Sequence, residues 1–184
     1  MDYFMKIVKE SFIILIISSI MGLVSGVVLS LNEAILYSIP IFILILPAIN
    51  ALIGDIATVM VSRLTTHLFI GIIPPKVTGS ERLKEDLLGL LLTLVCGVLA
   101  LLVIGYLIVF FTGMQIVNPL LISLILMLTT LILFFFLFIV LFLGSIALFQ
   151  QGRDPNNYLI PIITSLIDFL APFLIILFIT IIFI

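Results

Sequence analysis

Five long apolar stretches, each about 20 residues or more, follow one another with only short polar breaks between them. A membrane-spanning helix needs about 20 mainly apolar residues, because only a closed set of internal hydrogen bonds lets backbone cross hydrocarbon. The runs are roughly Phe12 to Leu31, Ala34 to Ile70, Leu87 to Phe111, Leu120 to Phe149 and Tyr158 to Ile184. Charged residues make up 9% of the chain against about a quarter in soluble domains, so nearly all of it belongs in lipid. The spacing predicts an all-α membrane protein of five transmembrane helices forming one domain over 1–184, multi-pass in the cell membrane, with the bilayer as its main partner. The net charge of −2 and the lack of a long basic run exclude a nucleic-acid partner.

The first run follows Lys6 and Lys9 and is longer than a signal-peptide core, so it reads as a retained span after a short tail, Met1 to Ser11. Its Gly22 and Gly26 are spaced for close helix approach, or are simply the scattered glycines common in membrane helices. The second run would be about 55 Å long as one helix, far beyond a 30 Å hydrocarbon core. Pro40 and Pro47 remove backbone donors within it, and Gly54 allows a further break, so a long and broken second helix is expected. Ser80 reads as the N-cap of the third helix, and the charges from Glu81 to Asp86 as its solvated face. Phe134, Phe135, Phe136 and Phe138 read as lipid-facing bulk, and Cys96 as a small packing residue. All seven Lys and Arg residues fall at one end of the five spans, which makes the N-terminus cytoplasmic and the C-terminus external.

Two carboxylates break the pattern. Asp55, Thr58 and Ser62 share a face of the second span; Asn157, Pro161, Thr164 and Asp168 form a stripe on the fifth. Asp168 lies about 15 Å in from Tyr158, and Asp55 about 12–18 Å in from the Arg63–His67 end, so both reach one depth near midplane. An acid at that depth costs roughly 2.5–3.5 kcal/mol on insertion scales, and a cation is the natural offset. The alternatives are a shared proton or hydroxyl partners in helix packing. Arg63 lies two turns from Asp55 and reads, with His67, as an interfacial residue. Carboxylate, amide, hydroxyl and freed carbonyl oxygens suit a hard dication, Mg²⁺ first, with Mn²⁺ and Ca²⁺ as alternatives. One His and no Ser/His/Asp constellation argue against an enzyme.

The stretch PAINALIGDIATVMVSRLTT resembles the second-helix signature of the MgtE magnesium transporters and of solute carrier family 41, and DPNNYLIPIITSLIDFLAPF resembles their fifth-helix signature. The resemblance covers essentially the whole chain. It implies a divalent cation transporter or channel, with Asp168 as the pore acid holding a partly hydrated ion. Thr164 and Ser165 match the hydroxyls before that acid, and Asn50 and Pro47 the second-helix break. Asp55 stands where the family usually has Asn. The metal set drawn from residues and resemblance together is Asp168, Asp55, Asn50, Thr164, Ser165, Asn157 and Thr58. The family usually carries cytoplasmic magnesium-sensing domains, whereas only the short tail precedes the first span here; a homodimer with the ion path near the two-fold axis is implied. Exchange with Na⁺ or H⁺ is the alternative transport mode, and a scaffold subunit using the Gly71–Asp86 loop is the alternative class.

Overall fold

The computed structural model describes residues 2–114 and 118–183, of which 2–3, 6–7, 9–11, 38 and 183 are described in backbone only. The described chain is helical, in six segments: α1 (Asp2–Leu31), α2 (Glu33–Ser38), α3 (Pro40–Phe69), α4 (Glu81–Thr112), α5 (Pro119–Gln150) and α6 (Pro155–Phe183). Five of them are long and apolar enough to cross a membrane, and α2 is a single short turn-and-a-half before α3.

The second run breaks at Pro40, not at Pro47. Ile39 adopts φ −133°, ψ 79°, an extended conformation that joins α2 to α3. A proline pushes the residue before it out of the α region, while Pro40 itself, at the first position of α3, has no donor to lose. Pro47 sits within the continuous helix, and its cost is one carbonyl, that of Ile43, without its usual donor. The sequence-based placement of a break at Pro47 and Asn50 is therefore corrected. Ser80 caps α4 as expected: Leu83 N–H donates to Ser80 Oγ at 3.1 Å. Gly113 closes α4 in the left-handed region, φ 69°, where a side chain would be strained.

At the centre lies α3, which packs against α4, α5 and α6, and one continuous apolar core joins them. Phe42, Ile49, Leu94, Ile122, Leu126 and Leu141 are fully buried there. Close approach is set by Gly97 and Gly105 of α4: a Cβ at Gly97 would sit 2.8 Å from Leu52, and one at Gly105 2.7 Å from Ile45. The glycine pair in α1 plays no such part within the chain, since a Cβ at Gly22 or Gly26 meets nothing within 4 Å. Instead α1 lies along α6 through Ser18, which donates to the Pro161 carbonyl, and Ser25, which donates to that of Asp168. Both pairings advance by seven residues on each helix, so α1 and α6 run parallel, as first and fifth spans of one bundle must.

Two further expectations change. Phe134 is buried and meets Phe135 edge-on, so only part of the phenylalanine cluster, Phe135 and Phe136, faces outward. Cys96 is exposed on α4 rather than packed inside.

Replacing Gly97 with Leu should destabilise the protein by about 1–3 kcal/mol through overpacking against Leu52. Thermal unfolding in detergent should show the loss, and adding Leu52→Ala should recover part of it.

Candidate functional site

Asp168 is held by two devices from outside its own helix. Pro172 lies four residues on and has no N–H, so it cannot donate to the Asp168 carbonyl. The hydroxyl of Ser25, from α1, fills that vacancy. The Asp168 side chain in turn accepts a hydrogen bond from Asn50 Nδ2 of α3 at 3.3 Å. Asn50 Oδ1 is buried and has no hydrogen-bond partner. One turn before Asp168, Thr164 Oγ1 donates to the carbonyls of Ile160 and Pro161, and its lone pairs remain available.

These groups converge on one open cavity of about 470 Å³ between α3, α6 and the end of α1. Asn50, Asp55, Thr58, Thr164 and Asp168 all line it, with Gly54 and Pro47 in its α3 wall. Five of the seven candidate metal residues thus share one space. Ser165 does not: it is buried and its hydroxyl donates to the Pro161 carbonyl. Asn157 does not line it either and lies nearer the start of α6. Both carboxylate residues are exposed to the cavity rather than packed into the core. Among the described residues, no three His, Cys, Asp or Glu side chains come together to hold a metal, here or elsewhere, so this cavity offers two carboxylates and otherwise neutral oxygens.

The volume matters. Six waters occupy about 180 Å³ at their bulk volume, so a cation with much of its hydration shell fits inside. A dication held about 5 Å from one carboxylate through a water gains roughly 7 kcal/mol of Coulomb attraction at an effective dielectric of 20, before desolvation is counted.

Sequence reasoning missed a second charged cluster. Arg63 donates to Asp86 Oδ1 through both Nε, at 2.8 Å, and Nη2, at 2.5 Å. His67 Nδ1 lies 3.1 Å from Asp86 Oδ2, although the ring is not turned to form a directed hydrogen bond. Asp86 is buried and is not part of a solvated face; only its neighbours Glu81, Arg82, Lys84 and Glu85 are exposed. His67, in the last turn of α3, is buried too and faces into the bundle. The readable signal was periodicity: Leu83, Asp86 and Leu90 fall on the inner face of α4.

A bundle of five helices long and apolar enough to span a membrane, with two acidic residues lining one open cavity, defines a polytopic membrane protein. Residues 46–179 match the MgtE family of divalent cation transporters, and this chain belongs to that family. No curated protein and no solved structure matches it. Membership makes the chain a multi-pass membrane transporter of divalent cations rather than an enzyme.

Replacing Arg63 with Gln should leave the buried Asp86 carboxylate without its main partner and cost about 3 kcal/mol. The double variant Arg63→Gln/Asp86→Asn should lose less, which a double-mutant cycle on thermal stability will show.

Proposed function

We propose that the transported ion is Mg²⁺ and that it rests, partly hydrated, in the cavity shared by Asp168 and Asp55. The observation that carries this is the convergence of Asp168, Asp55, Asn50, Thr58 and Thr164 on a single cavity. Every donor in that set is a hard oxygen, as Mg²⁺ prefers, and Mg²⁺ keeps several waters while using one or two carboxylates. In this reading Asp168 is the principal anchor, oriented by Asn50, and Asp55 supplies the second charge. The hydroxyls of Thr58 and Thr164 accept hydrogen bonds from the ion's water shell. Mn²⁺ and Ca²⁺ have the same donor preference and are expected as weaker competitors.

The basic end of the bundle, with Arg63, Lys76, Arg82, Lys84 and Arg153, faces the cytoplasm in this reading, by the positive-inside rule. A dication moving inward then gains about 4.6 kcal/mol per 100 mV of inside-negative potential, enough to drive uptake without ATP. The open side of the cavity suits a second copy of the chain, so the functional unit is a homodimer. Asp55 also supports a second mode. An extra carboxylate where the family usually has Asn gives the cavity a place for a counter-ion, and exchange with Na⁺ or H⁺ follows.

Asp168→Asn should reduce Mg²⁺ uptake into proteoliposomes to background while the purified protein keeps its helical content and its dispersion in detergent. Unchanged uptake would remove Asp168 from the mechanism. Varying lumenal pH or Na⁺ in the same assay separates the modes: a channel responds only to the Mg²⁺ gradient and voltage, an exchanger to the counter-ion.

A further inference from the structure

Asp55 lines two cavities. The first is the one it shares with Asp168. The second, also about 470 Å³, lies on the other side of α3, between α3 and α4, and is lined by Asp55, Val59, Arg63, Glu85, Gly89 and Thr93 among others. Asp55 stands on the ridge of α3 between them: Asn50, Gly54 and Thr58 turn to one side of it, Leu52, Ile56 and Val59 to the other. The second cavity extends from the depth of Asp55 to Glu85, which is exposed at the polar start of α4 and paired with Arg82.

We propose that this second cavity is the inner leg of the ion path, and that Asp55 hands the ion from the Asp168 cavity into it. The proposal rests on the reading of the Asp168 cavity as the ion site. A dication leaving Asp168 needs a neighbouring charge to move toward, and Asp55 is the acidic residue common to both spaces. The apparent obstacle is Arg63, a cation on the wall of the second cavity. Both its Nε and its Nη2 are tied to the buried carboxylate of Asp86. That pairing holds the guanidinium against α4 and offsets its charge, so the way from Asp55 to Glu85 carries no unpaired positive group on the wall. Arg63 and Asp86 are positioning residues in this scheme: they touch no ion and keep the leg passable. Thr93 and Gly89 form its opposite wall on α4.

Gly89 offers the test. A Cβ there meets nothing within 4 Å, and leucine is a better helix former than glycine, so Gly89→Leu fills the cavity without straining the helix. Mg²⁺ uptake by the full chain in proteoliposomes should fall at least ten-fold, while Mg²⁺ affinity of the detergent-solubilised protein, measured by titration calorimetry, stays within two-fold. Wild-type uptake in Gly89→Leu overturns the inner leg. A second arm decides the matter if that variant loses affinity as well as flux. In a Cys96→Ser background, Thr93→Cys should react with a cationic, water-soluble methanethiosulfonate, uptake on the same preparation should fall at least ten-fold, and saturating Mg²⁺ should slow the reaction. Modification at Leu88→Cys, outside the cavity lining, should leave uptake unchanged. A Thr93→Cys thiol that stays unmodified, because lipid or a partner chain fills the space, or that is modified with no effect on uptake, overturns the proposal. The two readings fail separately. Retained uptake in Asp168→Asn sinks the ion site itself; abolished uptake there with normal uptake in Gly89→Leu sinks the inner leg alone.

Discussion

A carboxylate in hydrocarbon has to be accompanied. That constraint organises this protein, because Asp55 and Asp168 stand in spans that are otherwise almost wholly apolar. The bundle answers it by bringing both acids to the wall of one open cavity and giving Asp168 an amide donor from Asn50. The other intramembrane-facing acid, Asp86, receives the opposite treatment. It is buried at the edge of the second cavity and ion-paired with Arg63 through Oδ1, while its Oδ2 has no hydrogen-bond partner. One acid pair is left without a protein cation and one acid is neutralised by Arg63. The difference separates a place that can receive a cation from a place that already has one.

Prolines set the details. A helix that is hydrogen-bonded throughout shows no free carbonyl to its surroundings, and Pro removes one donor at each position it takes. Pro40 costs no hydrogen bond at the start of α3 and breaks the chain through the residue before it, which is forced out of helical geometry. Pro172 leaves the Asp168 carbonyl open, and Ser25 of α1 takes it. The first span thereby acquires a task that its composition does not suggest. Among the described side chains of α1, Ile14 and Ser25 alone are buried, and Ser25 is the one that fixes the backbone of the acid. Removing that hydroxyl would leave a part-buried carbonyl unpaired, at about 1 kcal/mol.

Much of this was legible before any coordinates. Length and apolarity give the five spans, because lipid permits little else. Helical rise alone places Asp55 and Asp168 at one depth, and the cavity that holds both agrees with that geometry. The inward turn of Ser165 was not legible, since adjacent hydroxyls on a helix point about 100° apart and the stripe does not say which one faces the cavity. Asp86 was misread for a related reason. Charges near a helix start usually face water, and only the burial of Leu83 and Leu90 on the same face shows that this one turns in. The Arg63–Asp86 pair joins residues 23 apart across a loop, and pairing at that range follows from how α3 meets α4, which no local pattern encodes. The break at Pro40 rather than Pro47 turns on position: the first lies where a helix can begin, the second where α3 is already packed on three neighbours.

The charge at Asp55 has a consequence for how tightly such a site can hold its ion. Conduction needs binding strong enough to admit a cation and weak enough to release it, which is easier when sites come in series. Two fixed carboxylates on one dication, in a poorly polarisable groove, would by themselves favour retention. In the proposed path Asp55 escapes that trap by its place on the ridge of α3, where it lines the second cavity as well as the one it shares with Asp168. An asparagine there would lower the charge on both sides at once. With aspartate, attraction toward the first cavity is matched by attraction out of it, so the added charge can raise occupancy without fixing the ion in place.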